Sequence, residues 1–421
     1  MSVLLFHTTV APFVQQAARA LHEASLLDHF YSTIVEDRSS FWQAGATRAA
    51  RLVGRDFASM LRRRQVTEIP ADLVSGIPFR EWIRLAAGMV DKSGRLTDLA
   101  WAWAEPGFDQ AVARRLHPKL RAVYGYEYSS LATFKAARAR GLKVFYDLPA
   151  PEPTFVHALL KREIERFPEL DTPYQRHTEK REQRRLERRR AEWHCADVHI
   201  TASEFTRDSY AAAGLDVSRA RVVPYGSPPV CAAELTLGER PTDRPLLLLW
   251  AGTFSIRKGA HYLLEAWKKA GLGKHARLLI HGTNALPPSL TENLPPEIVF
   301  GGPIPREALL SIYRQADLLV FPSLCDGFGL VATEAWSQGL PVLTTRNAGA
   351  SLLLRDRRNG LLVPPGDAQA LAQALCWCLD NRPALQAMRT EALATAANWQ
   401  WSHYRSALSA LVSENLDTPR P

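Results

Sequence analysis

Two carboxylates frame a glycine-rich turn in the second half of the chain. Asp326 and Glu334 lie on either side of the sequence Gly-Phe-Gly at 327–329. The turn joins a predicted strand to a predicted helix, so both acids can face one cleft. The free N–H groups of a helix N-terminus favour a diphosphate, and carboxylates accept hydrogen bonds from sugar hydroxyls. The spacing therefore predicts a site for a phosphorylated polyol, although two solvated acids would give the same pattern.

A cationic turn follows an apolar run about seventy residues upstream. Residues 246–250 predict a strand, and the sequence AGTFSIRKG at 251–259 leads from it into a predicted helix. The guanidinium of Arg257 can hold phosphate oxygens with two parallel hydrogen bonds, and the ammonium of Lys258 acts as a point charge. Either residue alone would be an ordinary surface cation. Next to a glycine-bounded turn between strand and helix, the pair predicts a second phosphate-binding unit.

The two turns together carry a resemblance to a known family. The pairing of Gly-x5-Lys-Gly with acid-x7-Glu resembles the retaining glycosyltransferases of family 4, and the likeness covers about residues 195–400. It thins out over the first 190 residues. The other stretches that fit this family are 201–206, 222–226, 339–342 and 359–367. The resemblance implies an α/β protein of the GT-B fold, in which two Rossmann-like, doubly wound parallel-sheet domains face a central cleft.

The resemblance also implies roles for individual residues. Asp326 would contact the sugar hydroxyls of a nucleotide-diphosphate donor, Glu334 would hold the ribose hydroxyls, and Arg257 with Lys258 would hold the diphosphate. Thr253 stands where the family usually has arginine, and Asp326 stands where glutamate is commoner. A purely structural role for His281 is an equal alternative. The other donor-binding candidates are Gly252, Thr253, His281, Phe328, Gly329 and Leu330.

The acceptor-side domain is the least familiar part of the chain. Residues 8–12 replace the Gly-Gly turn of many relatives, and Tyr146 with Asp147 occupies about the place of their catalytic-site histidine. Asp147 and His157 are therefore the candidates for contacting the reacting sugar. An aspartate that caps a helix and a histidine on a helix face are the alternatives.

The length of the chain predicts two domains, since 421 residues exceed the size at which one core keeps growing. We expect an acceptor-side domain over 1–226 with an insertion at about 32–110, a proline-rich linker over 227–245, a donor-binding domain over 246–395, and a final segment over 396–421 whose helix packs back on the first domain. Ligands of such sheets bind beyond the carboxyl ends of the strands, where the site motifs lie. The predicted strands are 3–7, 121–126, 143–146, 198–201, 246–251, 277–281, 297–300, 318–321 and 341–344, and helices are predicted over about 13–28 and 129–140.

Positive charge is unevenly distributed along the chain, whose net charge is +9. Residues 176–190 predict a solvated, arginine-rich helix. Residues 48–64 combine six arginines with apolar residues at helical spacing, which predicts a helix that can rest on anionic lipid. Nucleic acid is a less favoured partner, because no aromatic stacking platform or reading module accompanies the charge.

The number and spacing of the cysteines and the hydropathy of the chain bear on the cellular compartment in which we expect the protein. The five scattered cysteines favour a reduced cytosol, and no apolar run reaches the ~18 residues of a membrane span. The start of the chain lacks the long apolar centre of a secretory signal. We expect a cytoplasmic protein, with a peripheral position on the inner face of the membrane as a further hypothesis.

The resemblance implies an enzyme that moves a sugar from a nucleotide-diphosphate donor to a glycan, lipid or small-molecule acceptor with retention of configuration. In this fold the leaving phosphate itself helps to take the acceptor proton, so no covalent nucleophile, cofactor or metal is expected. The alternatives are a sugar-nucleotide epimerase or hydrolase of the same fold, and a non-catalytic scaffold that binds nucleotide sugars. The residues leave open the donor base, the donor sugar, the acceptor and the oligomeric state.

Overall fold

The computed structural model describes residues 2–36, 43, 61–62, 64–91, 95–171, 173–232, 238, 241 and 243–418. The amphipathic, basic stretch predicted at 48–64 lies for the most part outside these residues, as does part of the proline-rich segment 227–245.

The described N-terminal half contains one parallel sheet of seven strands in the order β3-β2-β1-β4-β5-β6-β7. Its inner strands are buried along their whole length, as expected when helices cover both faces of a parallel sheet. The strands are β1 Val3–Phe6, β2 Leu27–Ser32, β3 Val74–Gly76, β4 Ala122–Tyr126, β5 Lys143–Leu148, β6 Val198–Thr201 and β7 Ala220–Val222. The helices are α1 Pro12–Glu23, α2 Phe79–Val90, α3 Arg95–Ala113, α4 Leu131–Ala139, α5 Pro153–Arg166, α6 Pro173–Cys195 and α7 Glu204–Ala212.

The described C-terminal half contains a second parallel sheet, of six strands in the order β10-β9-β8-β11-β12-β13. Parallel order and alternating helices confirm the α/β class with two Rossmann-like sheets. The strands are β8 Leu246–Ala251, β9 Ala276–His281, β10 Ile298–Phe300, β11 Leu318–Phe321, β12 Val342–Thr345 and β13 Gly360–Val363. The helices are α8 Ala260–Ala270, α9 Arg306–Gln315, α10 Leu330–Ser337, α11 Ala368–Asp380, α12 Arg382–Ala397 and α13 Trp401–Asp417.

The predicted elements need two corrections. The helix predicted over about 13–28 ends at Glu23, because Ser25 takes a positive φ of 57° and the chain turns directly into β2. The observed strands β2, β3 and β7 of the first sheet and the edge strand β13 of the second were not among the predicted strands. None of the predicted strands begins or ends more than two residues from the observed one.

The final helix α13 lies on the N-terminal sheet domain. Tyr404, Leu408 and Val412 are buried on one of its faces, and Arg405 donates to Glu23 and Gln16 of α1 at 2.8 Å each. The same cluster of buried apolar side chains runs from the first sheet through α13 to the second sheet. Within the described residues, no helix is long and apolar enough to cross a membrane.

Candidate active site

The cationic turn follows β8 and is held against the loop that follows β11. After Ala251 the chain forms a short 3₁₀ turn over Ile256–Lys258 and enters α8 through Gly259, whose φ is 76°. A Cβ at Gly259 would lie 2.1 Å from the carbonyl oxygen of Pro322, so only glycine allows this approach. The amides of Leu324 and Cys325 donate to the Arg257 carbonyl at 3.0 and 3.2 Å. The two predicted phosphate-binding turns therefore form one unit.

Arg257 brings its charge to the acidic loop. Its Nη1 donates to the Cys325 carbonyl at 2.6 Å and lies 3.6 Å from Oδ2 of Asp326. Asp326 is itself fixed, because its amide donates to Asn347 O at 2.9 Å and its Oδ1 accepts from the Phe328 amide at 3.3 Å. The guanidinium remains about one-third exposed. A cation and a carboxylate therefore converge at the carboxyl ends of β8 and β11.

The ammonium of Lys258 points into the same region. A Cβ on Gly252 would lie 3.1 Å from Lys258 Nζ, and Nζ lies 5.5 Å from the centre of the Phe321 ring. Burial lowers the pKa of Lys258, and the charge of Asp326 partly offsets that effect. Within the described part of the chain, Nζ has no hydrogen-bond partner. The structure thus holds a poorly solvated cation next to the turn at Gly252.

Helix α10 begins at the glycine-rich turn. Gly329 has a φ of 88° and precedes the first helical residue, Leu330. A Cβ on Gly329 would lie 2.7 Å from the ring of Phe321, so the turn requires glycine both for its conformation and for its packing. Phe328 is buried and contacts Tyr225 edge to face, with ring centres 5.4 Å apart. The glycine turn thus begins α10 directly after the acidic loop, and an aromatic contact anchors it.

Glu334 lies one turn into α10 and already has partners. Its Oε1 accepts from Arg306 Nε at 3.1 Å, and its Oε2 accepts from the Tyr313 hydroxyl at 3.3 Å. Burial raises the pKa of Glu334, and the charge of Arg306 opposes the shift. Arg306 and Tyr313 were not predicted. The position of Arg306 at the start of α9 was the available signal, because that helix follows the carboxyl end of β10.

Thr253 and His281 lie at the ends of neighbouring strands of the second sheet. Thr253 is exposed beyond β8. His281 ends β9 and is 9% exposed, its Nδ1 lies 3.1 Å from Gly302 O, and its carbonyl accepts from the Gly252 amide at 2.8 Å. A Cβ on Gly282 would lie 2.0 Å from Gly252 O, so the two strand ends pack closely. His281 therefore lies beside the cationic turn, with one ring nitrogen directed at the backbone.

The N-terminal domain contacts the acidic loop at Gly327. The Ser203 and Thr206 hydroxyls donate to Gly327 O at 2.6 and 3.1 Å. A Cβ on Gly327 would lie 2.0 Å from the carbonyl oxygen of Pro149, which follows β5. Ser203 and Thr206 belong to one of the stretches that fit the family, but sequence reasoning gave them no role. The acidic loop of the second domain is thus supported directly by the first.

Asp147 lies in the core of the first domain. Its side chain is 1% exposed, and its Oδ2 accepts from the Tyr124 hydroxyl at 2.6 Å. Burial raises its pKa to about 7. Its charge in turn helps to raise the pKa of Tyr126, Tyr225 and Tyr404, which surround it. The structure therefore does not place Asp147 in the cleft with the cations, and its burial argues against contact with a sugar.

His157 and His7 are the histidines near the first domain's strand ends. His157 is partly buried on α5, the helix that packs beside the cationic turn. His7 directly follows β1, its ring lies 4.6 Å from that of Tyr126, and its Nδ1 accepts from the Thr9 amide at 3.0 Å. Burial lowers the pKa of His7 to about 4, so it is neutral at pH 7. His7 was not predicted, although its place after the first strand was a usable signal.

Comparisons with known proteins find a matching family and relatives for part of the chain. Residues 245–381 fit the family model described as Glycosyl transferases group 1. The D-inositol 3-phosphate glycosyltransferase of Nocardia farcinica is 40% identical over 119 residues, which are 28% of this chain and 26% of that protein. The enzyme of the same name from Xylanimonas cellulosilytica is 30% identical over 216 residues, 46% of this chain and 51% of that protein. The matched part spans between about a quarter and a half of these relatives.

Solved structures match over nearly the whole chain. Anabaena HepE, in complex with UDP and glucose, superimposes with a TM-score of 0.61 at 17% identity, covering 98% of this chain and 99% of that one. Sucrose-phosphate synthase from Thermosynechococcus elongatus gives a TM-score of 0.62 at 18% identity, covering 99% of each chain. The predicted GT-B fold is therefore confirmed, and the predicted resemblance to group 1 glycosyltransferases is confirmed over residues 245–381.

Proposed function

We propose that this protein is a retaining glycosyltransferase that moves a sugar from a nucleotide diphosphate to a glycan, lipid or small-molecule acceptor. The observation that carries the proposal is the convergence of Arg257, Lys258 and Asp326, with a cation and a carboxylate 3.6 Å apart at the strand ends of the second sheet. A diphosphate and a sugar are the two halves of such a donor. Cations suit the first half, and a carboxylate that accepts from hydroxyls suits the second.

In the proposed reaction the bond between the anomeric carbon and the diphosphate oxygen breaks, and a bond to the acceptor oxygen forms on the same face of the sugar. The acceptor proton passes to an oxygen of the departing phosphate. Arg257 and Lys258 stabilise the negative charge that develops on the diphosphate. Because Lys258 is partly buried, its charge acts in a medium of lower dielectric constant than water, where it is worth more.

Glu334 would position the ribose of the donor. Arg306 and Tyr313 hold its carboxylate in one orientation, so less side-chain freedom is lost when the hydroxyls bind. Asp326 would hold the sugar hydroxyls, and the turn at Phe328, Gly329 and Leu330 would offer its backbone to the sugar and phosphates. Gly252, Thr253 and His281 complete the proposed donor site.

On the acceptor side, we favour His7 over Asp147 as a group that contacts the reacting sugars. His7 is partly exposed at the carboxyl end of β1 and is neutral at pH 7, so its ring can exchange hydrogen bonds with hydroxyls. Asp147 is enclosed by tyrosines and would act by positioning them. His157, on the helix beside the cationic turn, stays a candidate for contact with the sugar.

UDP-glucose is the first donor to test, because a structural neighbour was solved with UDP and glucose. An acceptor that carries a phosphate is the first acceptor to test, because the relatives are named for D-inositol 3-phosphate. We expect a glycosylated product whose anomeric configuration, read by NMR, matches that of the donor. The absence of a metal requirement also belongs to the proposal, and we expect activity to persist in EDTA.

Control reactions separate this proposal from its alternatives. Incubation of the enzyme with nucleotide sugar alone should leave the donor largely unchanged. An epimerised sugar nucleotide formed without acceptor would instead favour an epimerase, and rapid release of free sugar would favour a hydrolase. Binding of nucleotide sugars with no turnover of any donor would indicate a scaffold.

A further inference from the structure

Helices α2 and α3 form an antiparallel hairpin at the edge of the first domain. The Arg80 guanidinium lies 4.5 Å from the centre of the Trp103 ring, and the Arg84 guanidinium lies 5.0 Å from the centre of the Trp101 ring. Toward the tip, Gly88 lies close to Thr97. The two helices therefore pack along their length.

Large apolar side chains are exposed on this hairpin. Six of the nine most exposed large hydrophobic residues in the described chain belong to it. Isolated exposed apolar residues are ordinary on a soluble protein, but a concentration on two adjoining helices marks an interaction surface. The six residues are Phe79 (72% exposed), Ile83 (43%), Leu96 (55%), Leu99 (55%), Trp101 (38%) and Trp103 (41%).

The base of the hairpin is anchored, whereas its outer part is not. Phe108 and Val112, in the last turns of α3, are buried in the core of the first domain. The first two turns of α3, from Leu96 to Trp103, contribute nothing to the described hydrophobic clusters. The apolar residues of the outer part are therefore presented to the surroundings by a rigid base.

Positive charge adjoins the hairpin. The segments 48–64 and 176–190 each carry a net charge of +5, so the rest of the chain is close to neutral. The first segment reaches α2 through Arg64, whose Nη2 lies 3.4 Å from Glu81. The second reaches α3 through Arg188, whose Nη2 lies 2.5 Å from Asp109. Arg64 and Arg188 thus lie against the two helices of the hairpin, each paired with an acid, and Arg80 and Arg114 line the cavity beside it.

We propose that the α2–α3 hairpin docks this protein onto an anionic lipid surface. Apolar and tryptophan side chains suit the boundary between head groups and acyl chains, and neighbouring arginines suit the negative surface of an anionic leaflet. A second copy of the chain is the less suitable occupant, because two copies meeting at this face would bring Arg80 and Arg114 of one against those of the other. The proposed docking residues differ from residues 48–64, which the sequence analysis predicts as the helix that rests on anionic lipid.

The surface is continuous with the acceptor side of the first sheet. A cavity of about 180 Å³ lies beside the hairpin, and its lining includes Thr8 and Thr33, which follow β1 and β2, together with Phe79, Arg80 and Glu105. Glu105 is 8% exposed, and its Oε2 has no partner among the described residues. Docking would place the mouth of this cavity near the lipid head groups. An acceptor could then enter the cavity from the lipid surface, and this step rests on the proposed function. Docking of the hairpin does not depend on that function.

The test uses the full chain and vesicles of phosphatidylcholine, with or without phosphatidylglycerol. The hairpin variant carries Phe79→Ser, Ile83→Ser, Leu96→Ser and Leu99→Ser, all at exposed positions. The matched control carries Leu352→Ser and Leu362→Ser, which remove exposed leucines elsewhere (48% and 42% exposed). Cosedimentation measures partition, light scattering measures oligomeric state, and hydrogen exchange locates the amides that lipid protects.

We expect the wild type and the control to cosediment with the anionic vesicles, less so as salt is raised, with new protection over 79–103. The hairpin variant should partition about tenfold more weakly or worse, because the four lost side chains supply most of the apolar contact. Equal partition of the hairpin variant, no binding by the wild type, or protection elsewhere would overturn the proposal. So would a wild-type oligomer that the hairpin variant dissociates, since a second copy would then occupy the surface. Vesicle binding without glycosyl transfer would leave docking intact and contradict only the proposed function.

Discussion

Lys258 is the residue on which donor binding depends most directly. Its side chain is partly buried beside Gly252, and no described group takes the hydrogen bonds of its ammonium. Burial lowers its pKa, so the cation is incompletely solvated, and a bound diphosphate would supply the missing acceptor. The Lys258 ammonium would therefore gain its hydrogen-bond acceptors only when a diphosphate is bound.

We expect Lys258→Ala to weaken UDP binding by about 1.5–3 kcal/mol, the usual contribution of hydrogen bonds to a charged group. Titration calorimetry measures this change as a rise in Kd of roughly tenfold to a hundredfold. Lys269→Ala is the control, because Lys269 lies on the exposed side of α8 and pairs only with Glu265. If the wild type and Lys258→Ala bound UDP with equal affinity, the Lys258 ammonium would not be part of the donor site.

Asp147 should make stability depend on pH. Its pKa is raised from 3.8 to about 7, chiefly by burial, so between these values the folded state holds a proton that the unfolded state has released. Stability should therefore fall as pH rises through this window, by about 1.4 kcal/mol per pH unit at most. Asp147→Asn keeps an acceptor for Tyr124 and has no charge to bury.

We accordingly expect Asp147→Asn to flatten the decline in melting temperature between pH 4 and pH 7 and to be more stable than the wild type at pH 7. The comparison is a difference between two proteins, so other buried acids such as Glu192 affect both alike. A variant that is less stable by the same amount at every pH would show that the carboxylate is not strained by burial.

Local sequence patterns predicted that the donor-side candidates Arg257 and Asp326 lie together, whereas the roles of all the site residues stay predictions. Arg257 and Asp326 belong to short motifs whose geometry is fixed by local strand–turn–helix structure, and they lie together as expected. Arg306 reaches Glu334 from a different helix, 28 positions away in the chain, and no local pattern encodes such a contact. Asp147 is a candidate because Tyr146 and Asp147 occupy about the place of the relatives' catalytic-site histidine, but its side chain is buried and accepts from the Tyr124 hydroxyl, a contact between strands that no local pattern encodes.

At the scale of elements, loops make a close contact between the domains. The acidic loop meets the end of β5 at Gly327, where backbone lies directly on backbone, and α7 supplies the hydroxyl of Thr206. Any side chain at this point would separate the loop from its support. The position of Asp326, one residue earlier, depends on the same contact.

Gly327→Ala should therefore lower both stability and donor affinity. Its Cβ would lie 2.0 Å from Pro149 O, and relieving such overpacking typically costs ~1–3 kcal/mol. Gly88→Ala is the matched control, because its Cβ would lie 3.9 Å from Thr97 inside a helix and should gain ~0.5–1 kcal/mol. Chemical denaturation measures both values, and a neutral Gly327→Ala would show that the loop is not pressed against the first domain.

Regular elements with strong apolar runs were predictable, and irregular ones were not. Strand β11 begins and ends where its apolar run predicts. Helices α2 and α3 were missed because α3 contains Pro106 and its outer turns expose apolar residues, so neither has the pattern of a core-facing helix. Strand β13 was missed because its short sequence, GLLV, lies among turn residues and has an exposed leucine.

At the scale of the whole molecule, the two sheets share one continuous apolar cluster that passes through α13. Leu408, on the same face of α13 as Tyr404, is fully buried in it. The final helix thus couples the two halves of the cleft. A substitution that weakens the packing of α13 should therefore lower the stability of both domains.

We expect Leu408→Ala to cost ~2–5 kcal/mol, because the cavity it leaves adds to the lost burial. Ser406→Ala, on the exposed face of the same helix, should change stability by no more than about 0.5 kcal/mol. Calorimetry should show the melting of both sheets shifted together in Leu408→Ala. Two separate transitions of which only one moves would mean that the helix belongs to a single domain.

The central claim is that the second domain binds a nucleotide diphosphate between the cationic turn and the acidic loop. A thermal-shift panel of nucleoside diphosphates on the wild type and on Arg257→Ala/Lys258→Ala tests it most directly. We predict that at least one nucleotide stabilises the wild type, by roughly 2.7 kcal/mol at a hundredfold excess over Kd, and that the double variant loses this response. A wild type that no nucleotide stabilises, or a double variant that responds equally, would contradict the claim.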